Sequence, residues 1–225
     1  MLFEYCAENL TNIAAALDAG AERIELCDNL AVGGTTPSLG VMEQAVALVR
    51  EYDGAEVRCM IRPRGGDFVY TEAEFKAMET DIRMASANGI DGVVLGCLKT
   101  RKSGGFMLDQ KATERLVKVA QSAGEMRGRE LGITFHMAFD AIDPANQLAA
   151  IDALVELGVD RILTHGGVAG TPIEDNFDHL RELIDYAGDR LTILPGGGIT
   201  YENAAAVAQT LGVEELHGTN IVKLF

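Results

Sequence analysis

AGAERIEL at Ala19–Leu26, NGIDGVVL at Asn88–Leu95, LGVDRILT at Leu157–Thr164 and LGVEELHG at Leu211–Gly218 together decide the fold. Each contains a glycine, then a small or apolar residue, then an acid, then a strand-like run. A glycine just past a helix supplies the left-handed backbone that ends it. Gly20, Gly89, Gly158 and Gly212 therefore mark one helix-to-strand turn used four times. The first two intervals are both 69 residues (89 − 20 and 158 − 89), and the third is 54 (212 − 158). An interval of 69 is two β-α units of roughly 34 residues, the scale such units require.

Working outward, short apolar runs predict eight strands: Leu2–Cys6, Arg23–Cys27, Glu56–Arg62, Gly92–Leu98, Gly132–Phe139, Arg161–His165, Leu191–Pro195 and Glu215–Ile221. Several are continuously apolar, as strands covered on both faces are. Helical patterns lie between them at Asn9–Asp18, Thr71–Ala87, Asp109–Ala123, Ala145–Leu157, Glu174–Ala187 and Glu202–Leu211. Thr71 and Glu74 form a capping-box pair, and Asp143-Pro144 is a helix-start signal. Eight alternating units predict a single (β/α)8 barrel domain over residues 1–225. An open doubly wound sheet would place a glycine-rich turn after its first strand, but Cys6-Ala7-Glu8-Asn9 has no glycine. The last strand leaves no room for a full eighth helix before Phe225. An uncovered barrel side predicts a homo-oligomer, with a dimer favoured.

The charge balance narrows the partners. With 19 basic and 34 acidic residues the chain carries −15, which repels nucleic-acid phosphates and anionic membranes. The first residues show neither a basic leader nor a long apolar run, and no stretch approaches the roughly 20 apolar residues of a membrane span. Cys6, Cys27, Cys59 and Cys97 include no C-x-x-C and read as reduced thiols of a cytoplasmic protein.

Barrel enzymes carry their chemistry at the C-terminal strand ends, and alternation along a strand says which side chains face the lumen. On the fifth strand Thr134, His136, Ala138 and Asp140 share the polar, inward face. Ile133, Phe135, Met137 and Phe139 face the helices. Continuing this alternation places Cys6, Glu25, Cys27, Arg62, His136, Asp140 and His217 at the lumen mouth. Glu25 and Arg62, on neighbouring strands, are expected to pair, because buried charge is costly alone. His136 with Asp140 or Glu25 could move a proton, with His217 and His165 as further candidates. His179 falls inside a helix and is expected to be solvated. Gly196, Gly197 and Gly198 follow the seventh strand and could offer backbone N–H groups to an anion. Cys6 and Cys27 end adjacent strands facing inward, where two thiolates could share a soft ion such as Cu(I); two small buried hydrophobes would look the same. Cys59 faces the helices.

AERIELCDNLAVGGTTPS at Ala21–Ser38 resembles the CutC family. So do MIRPRGGDFVY at Met60–Tyr70, TFHMAFD at Thr134–Asp140, RILTHGG at Arg161–Gly167 and PGGGI at Pro195–Ile199. The resemblance spans Leu2 to about His217. It implies a cytoplasmic (β/α)8 barrel with a role in copper homeostasis, and Cu(I) at two cysteines that match Cys6 and Cys27. Met137 stands where the family usually has arginine, and His165 where it usually has serine. Two classes of function follow: a copper-binding homeostasis protein, or a barrel enzyme of lyase, isomerase or hydrolase type. The enzyme would hold a small anionic metabolite with Arg62 and the Gly196–Gly198 loop. Glu25, His136, Asp140 and His217 would then supply its acid–base groups.

Overall fold

The computed structural model describes residues 1–224. Its strands are β1 (Leu2–Glu8), β2 (Arg23–Cys27), β3 (Glu56–Met60), β4 (Gly92–Leu95), β5 (Leu98–Thr100), β6 (Phe106–Leu108), β7 (Gly132–Phe135), β8 (Arg161–Thr164), β9 (Thr192–Pro195) and β10 (Glu215–Gly218). Eight of them form one parallel sheet in the order β10-β1-β2-β3-β4-β7-β8-β9. The sheet curls so that β9 meets β10, giving the (β/α)8 barrel. β5 and β6 form a separate antiparallel hairpin.

Seven helices surround it: α1 (Ile13–Asp18), α2 (Leu39–Val49), α3 (Glu72–Ala87), α4 (Gln110–Arg127), α5 (Gln147–Leu157), α6 (Phe177–Ala187) and α7 (Ala204–Leu211). The predicted turns form as read. Gly158 and Gly212 close α5 and α7 in the left-handed conformation, and Gly20 and Gly89 have φ of +99° and +92°.

The lumen is charged rather than apolar. Glu4, Arg23, Arg58 and Glu25 point inward and are buried. Arg23 pairs with Glu4 and reaches Glu215 at 2.7 Å, and Glu215 is also held by Arg161 at 2.6 Å. Glycine makes room for this filling. A Cβ on Gly132 would stand 2.7 Å from the Arg58 guanidinium.

One helix lies outside the expectations, and three expectations change. The helix α2 carries no clear amphipathic signal, yet it forms with Met42, Ala45 and Val49 inward and Ser38 as its N-cap. The fourth strand stops at Leu95, and the chain then makes the β5–β6 hairpin. The fifth stops at Phe135, because the His136 side chain accepts from Ala138 N–H and starts a 3-10 turn, Met137–Ala141. The barrel side expected to be bare is not. Leu216 is fully buried in the core that also holds Ile221 and Val222, although no helix follows β10 among the described residues.

Candidate functional site

A cavity of about 310 Å³ opens at the C-terminal ends of the strands. The alternation rule places its floor correctly: Cys6 from β1, Glu25 and Cys27 from β2, and His217 from β10 all line it. The parallel register sets Cys6 opposite Glu25 and Glu8 opposite Cys27. Cys6 Sγ lies 3.2 Å and Cys27 Sγ 3.5 Å from Glu25 Oε2. One ligand atom from each of the three residues falls within 4.8 Å of the others. Met60 belongs to the same packed cluster as both cysteines.

His217 ties this floor to the lumen charges. Its Nδ1–H donates to Glu4 Oε1 at 2.8 Å, and its Nε2 lies 3.6 Å from Glu25 Oε2. Burial works against a charged His217, but Glu25, Cys6 and Glu4 outweigh it and raise its pKa well above the ordinary value. Burial likewise opposes a charged Glu4, yet Arg23 and His217 hold its carboxyl far below the usual range. Hydrogen bonding with Cys27, against burial and aided by His217, holds the Cys6 thiol well below an ordinary thiol. The same Cys6–Cys27 bond pushes Cys27 up, with burial adding to it. Burial, then the charge on Cys6, pushes Glu25 up. The floor is thus one coupled proton-sharing group.

The expected Glu25–Arg62 pair does not form. The alternation carries Arg62 to the cavity wall, but past the end of β3, where its guanidinium meets loop carbonyls. Nη1 donates to Val32 O and Gly34 O at 2.9 Å each, and Nη2 donates to Gly66 O at 2.7 Å. Phe68 lies beneath the guanidinium at 4.8 Å and beside the His136 ring at 5.0 Å. No feature of the sequence singled out Phe68.

His136 also lines the cavity, as a buried ring. Burial first, and then the Arg62 charge, depresses its pKa to about 3. Its Nδ1 accepts from Ala138 N–H at 3.1 Å, so the ring is neutral and carries its proton on Nε2. Asp140 does not join it. The 3-10 turn swings that carboxylate away from the cavity to Thr164 Oγ1, His165 N and Gly166 N. The proton-transfer couple of His136 with Asp140 is therefore not assembled. The same turn brings Met137, expected outside, to the cavity wall.

Gly197 and Gly198 line the cavity and Gly196 does not. His165 explains how that loop is held. Its Nδ1–H lies 3.1 Å from both Gly196 O and Gly197 O, and Nε2 meets Thr171 Oγ1 at 3.2 Å. His179 is half-buried and hydrogen-bonds Gln147 at 2.6 Å. All four cysteines are unpaired thiols, and burial pushes the outward-facing Cys59 up.

Fold and site together define a barrel with a compact thiol–carboxyl–imidazole floor under a small cavity at the strand ends. The CutC family model matches residues 1–222, and the chain belongs to that family. A CutC family protein of Enterococcus faecalis is 55% identical over 222 residues, covering 99% of this chain and all of that one. One from Streptococcus pyogenes is 47% identical over 223 residues, with 99% and 100% covered. A solved structure from Streptococcus agalactiae, named a candidate copper homeostasis protein CutC, superposes with a TM-score of 0.89. It is 44% identical, with 99% of this chain and 100% of that chain covered.

Proposed function

We propose that this chain takes up monovalent copper between Cys6 and Cys27 and serves copper homeostasis in the cytoplasm. The observation that carries this reading is the gathering of two thiol sulfurs and the Glu25 carboxyl within 4.8 Å at the base of a cavity. Thiolate and thioether sulfur prefer Cu(I) to harder ions. Met60, in the same packed cluster, adds to the soft character of the surroundings. Four unbridged cysteines suit a reducing compartment, and no helix among the described residues is long and apolar enough to cross a membrane. The name of the Streptococcus agalactiae relative points the same way. Copper is cargo here, carried by the floor residues.

Anaerobic competition with a chromophoric Cu(I) chelator tests it. Wild type is expected to take about one Cu(I) per chain, and Cys6→Ser/Cys27→Ser to lose it. Binding should weaken as pH falls, because protons compete for the thiolates. No binding, or binding indifferent to both serines, overturns the copper reading.

A further inference from the structure

We propose that the upper cavity is a separate binding site for a small oxyanion, which Arg62 and His136 hold above the thiol floor. Among the buried arginines, Arg23 meets Glu4 and Glu215, and Arg58 meets Glu56. Arg62 is 3% exposed, yet its described guanidinium partners are three backbone carbonyls. Carbonyls satisfy N–H groups but do not cancel a charge, and an uncompensated buried charge is costly. Water would leave the same deficit. Glu25, the acid on the cavity floor, is turned to the two thiols and His217.

Two buried N–H groups at this cavity also lack an acceptor. Arg62 Nε and His136 Nε2 make no hydrogen bond, and both residues line the cavity. Native proteins pair nearly all buried polar groups, and an orphaned donor beside a cavity marks a ligand or an ordered water. A third unpartnered atom of the cavity residues, Glu25 Oε1, is an acceptor on the thiol floor; the two beside the Arg62 charge are donors, so the group missing there is an acceptor. The Arg62 charge calls for an anionic one. Across the cavity, Gly197 and Gly198 have φ of +82° and +77°, and their N–H groups donate to no protein acceptor among the described residues. At about 310 Å³ the cavity lies at the lower end of the roughly 300–1,000 Å³ of small-molecule sites. The ligand is a small metabolite bearing a carboxylate or a phosphoryl group, with Leu30, Met137 and Ile199 offering it an apolar wall.

Calorimetric titration of metal-free wild type in a zwitterionic buffer, with inorganic phosphate in one arm and glycolate in the other, tests this. Because no copper is present, the outcome does not depend on the copper reading. Saturable binding in either arm supports the site, and the arm that binds identifies the anionic group. His136→Asn keeps an acceptor for Ala138 N–H and should bind about tenfold more weakly, the loss of one hydrogen bond to a charged group. Where that variant does not fold, the 15N resonance of His136 Nε2 in wild type is followed instead, and it should move with anion concentration. No saturable binding in either arm overturns the proposal. So does equal affinity in a folded His136→Asn, or a His136 resonance that stays still.

Discussion

His136 sits where a strand stops and a helical turn begins, and its two nitrogens have different fates. Nδ1 caps the turn and Nε2 stays bare. Its folded-state pKa of about 3 lies below the 6.5 of an ordinary histidine. Between these values the unfolded chain binds more protons than the folded one. The stabilising effect of a neutral His136 is therefore complete above pH 6.5 and is lost as pH falls toward 3. The slope approaches about 1.4 kcal/mol per pH unit. Urea unfolding at pH 7 and pH 4.5 should show wild type losing about 2.5 kcal/mol more than His136→Asn over that interval. Equal losses would mean that His136 is not buried as a neutral ring. The Arg62 charge contributes to this shift, so an anion bound beside it should shrink the difference.

At the scale of elements, the sequence is legible where geometry is regular. A two-residue period holds as long as a strand does, and it places Cys6, Glu25, Cys27 and His217 on the cavity floor. It fails beyond His136, because a side chain capping a backbone N–H is a local competitor to the ladder. Met137 and Asp140 exchange inside and outside as a result. The α2 segment LGVMEQAVALV is apolar nearly throughout, so it shows no clear polar face and was not read as a helix, although Ser38 caps it in the structure. The Arg62 partners were not legible at all, since they are carbonyls of two loops whose path no local pattern encodes. Capping chemistry, by contrast, is local and was read correctly. The Thr71 side chain accepts from Glu74 N–H, and Glu74 Oε2 accepts from Thr71 N–H at 2.6 Å. Glu74 also accepts from Arg64 Nε at 2.6 Å, which fastens the start of α3 to the loop after β3. Thr71→Ala should cost about 1 kcal/mol in denaturant unfolding. An unchanged midpoint would mean that the Arg64–Glu74 contact alone fixes this end of the helix.

For the whole molecule, the composition of the barrel lumen is the controlling fact. Most of the outer core is aliphatic and forms one continuous cluster. The lumen instead holds an alternating chain of charges, Arg161–Glu215–Arg23–Glu4–His217, which leads to Glu25 and the thiols. Arg23, 1% exposed, stands at its centre. Alternation of sign is what makes such burial tolerable, since each ion is paired on both sides. It also makes the chain of charges cooperative. Removing Arg23 leaves the buried Glu4 with His217 alone and Glu215 with Arg161 alone. Arg23→Met should therefore cost about 3–5 kcal/mol, a fall of roughly 10 °C in Tm for a chain of this size. The Arg23→Met/Glu4→Gln double variant should recover part of that loss, because the under-compensated Glu4 charge is gone. The two substitutions would then be non-additive, as for any pair in one network. Thermal melts of the two singles and the double decide it. Strict additivity would mean that the ions stabilise the barrel independently, and that the floor of the cavity is not coupled to the lumen beneath it.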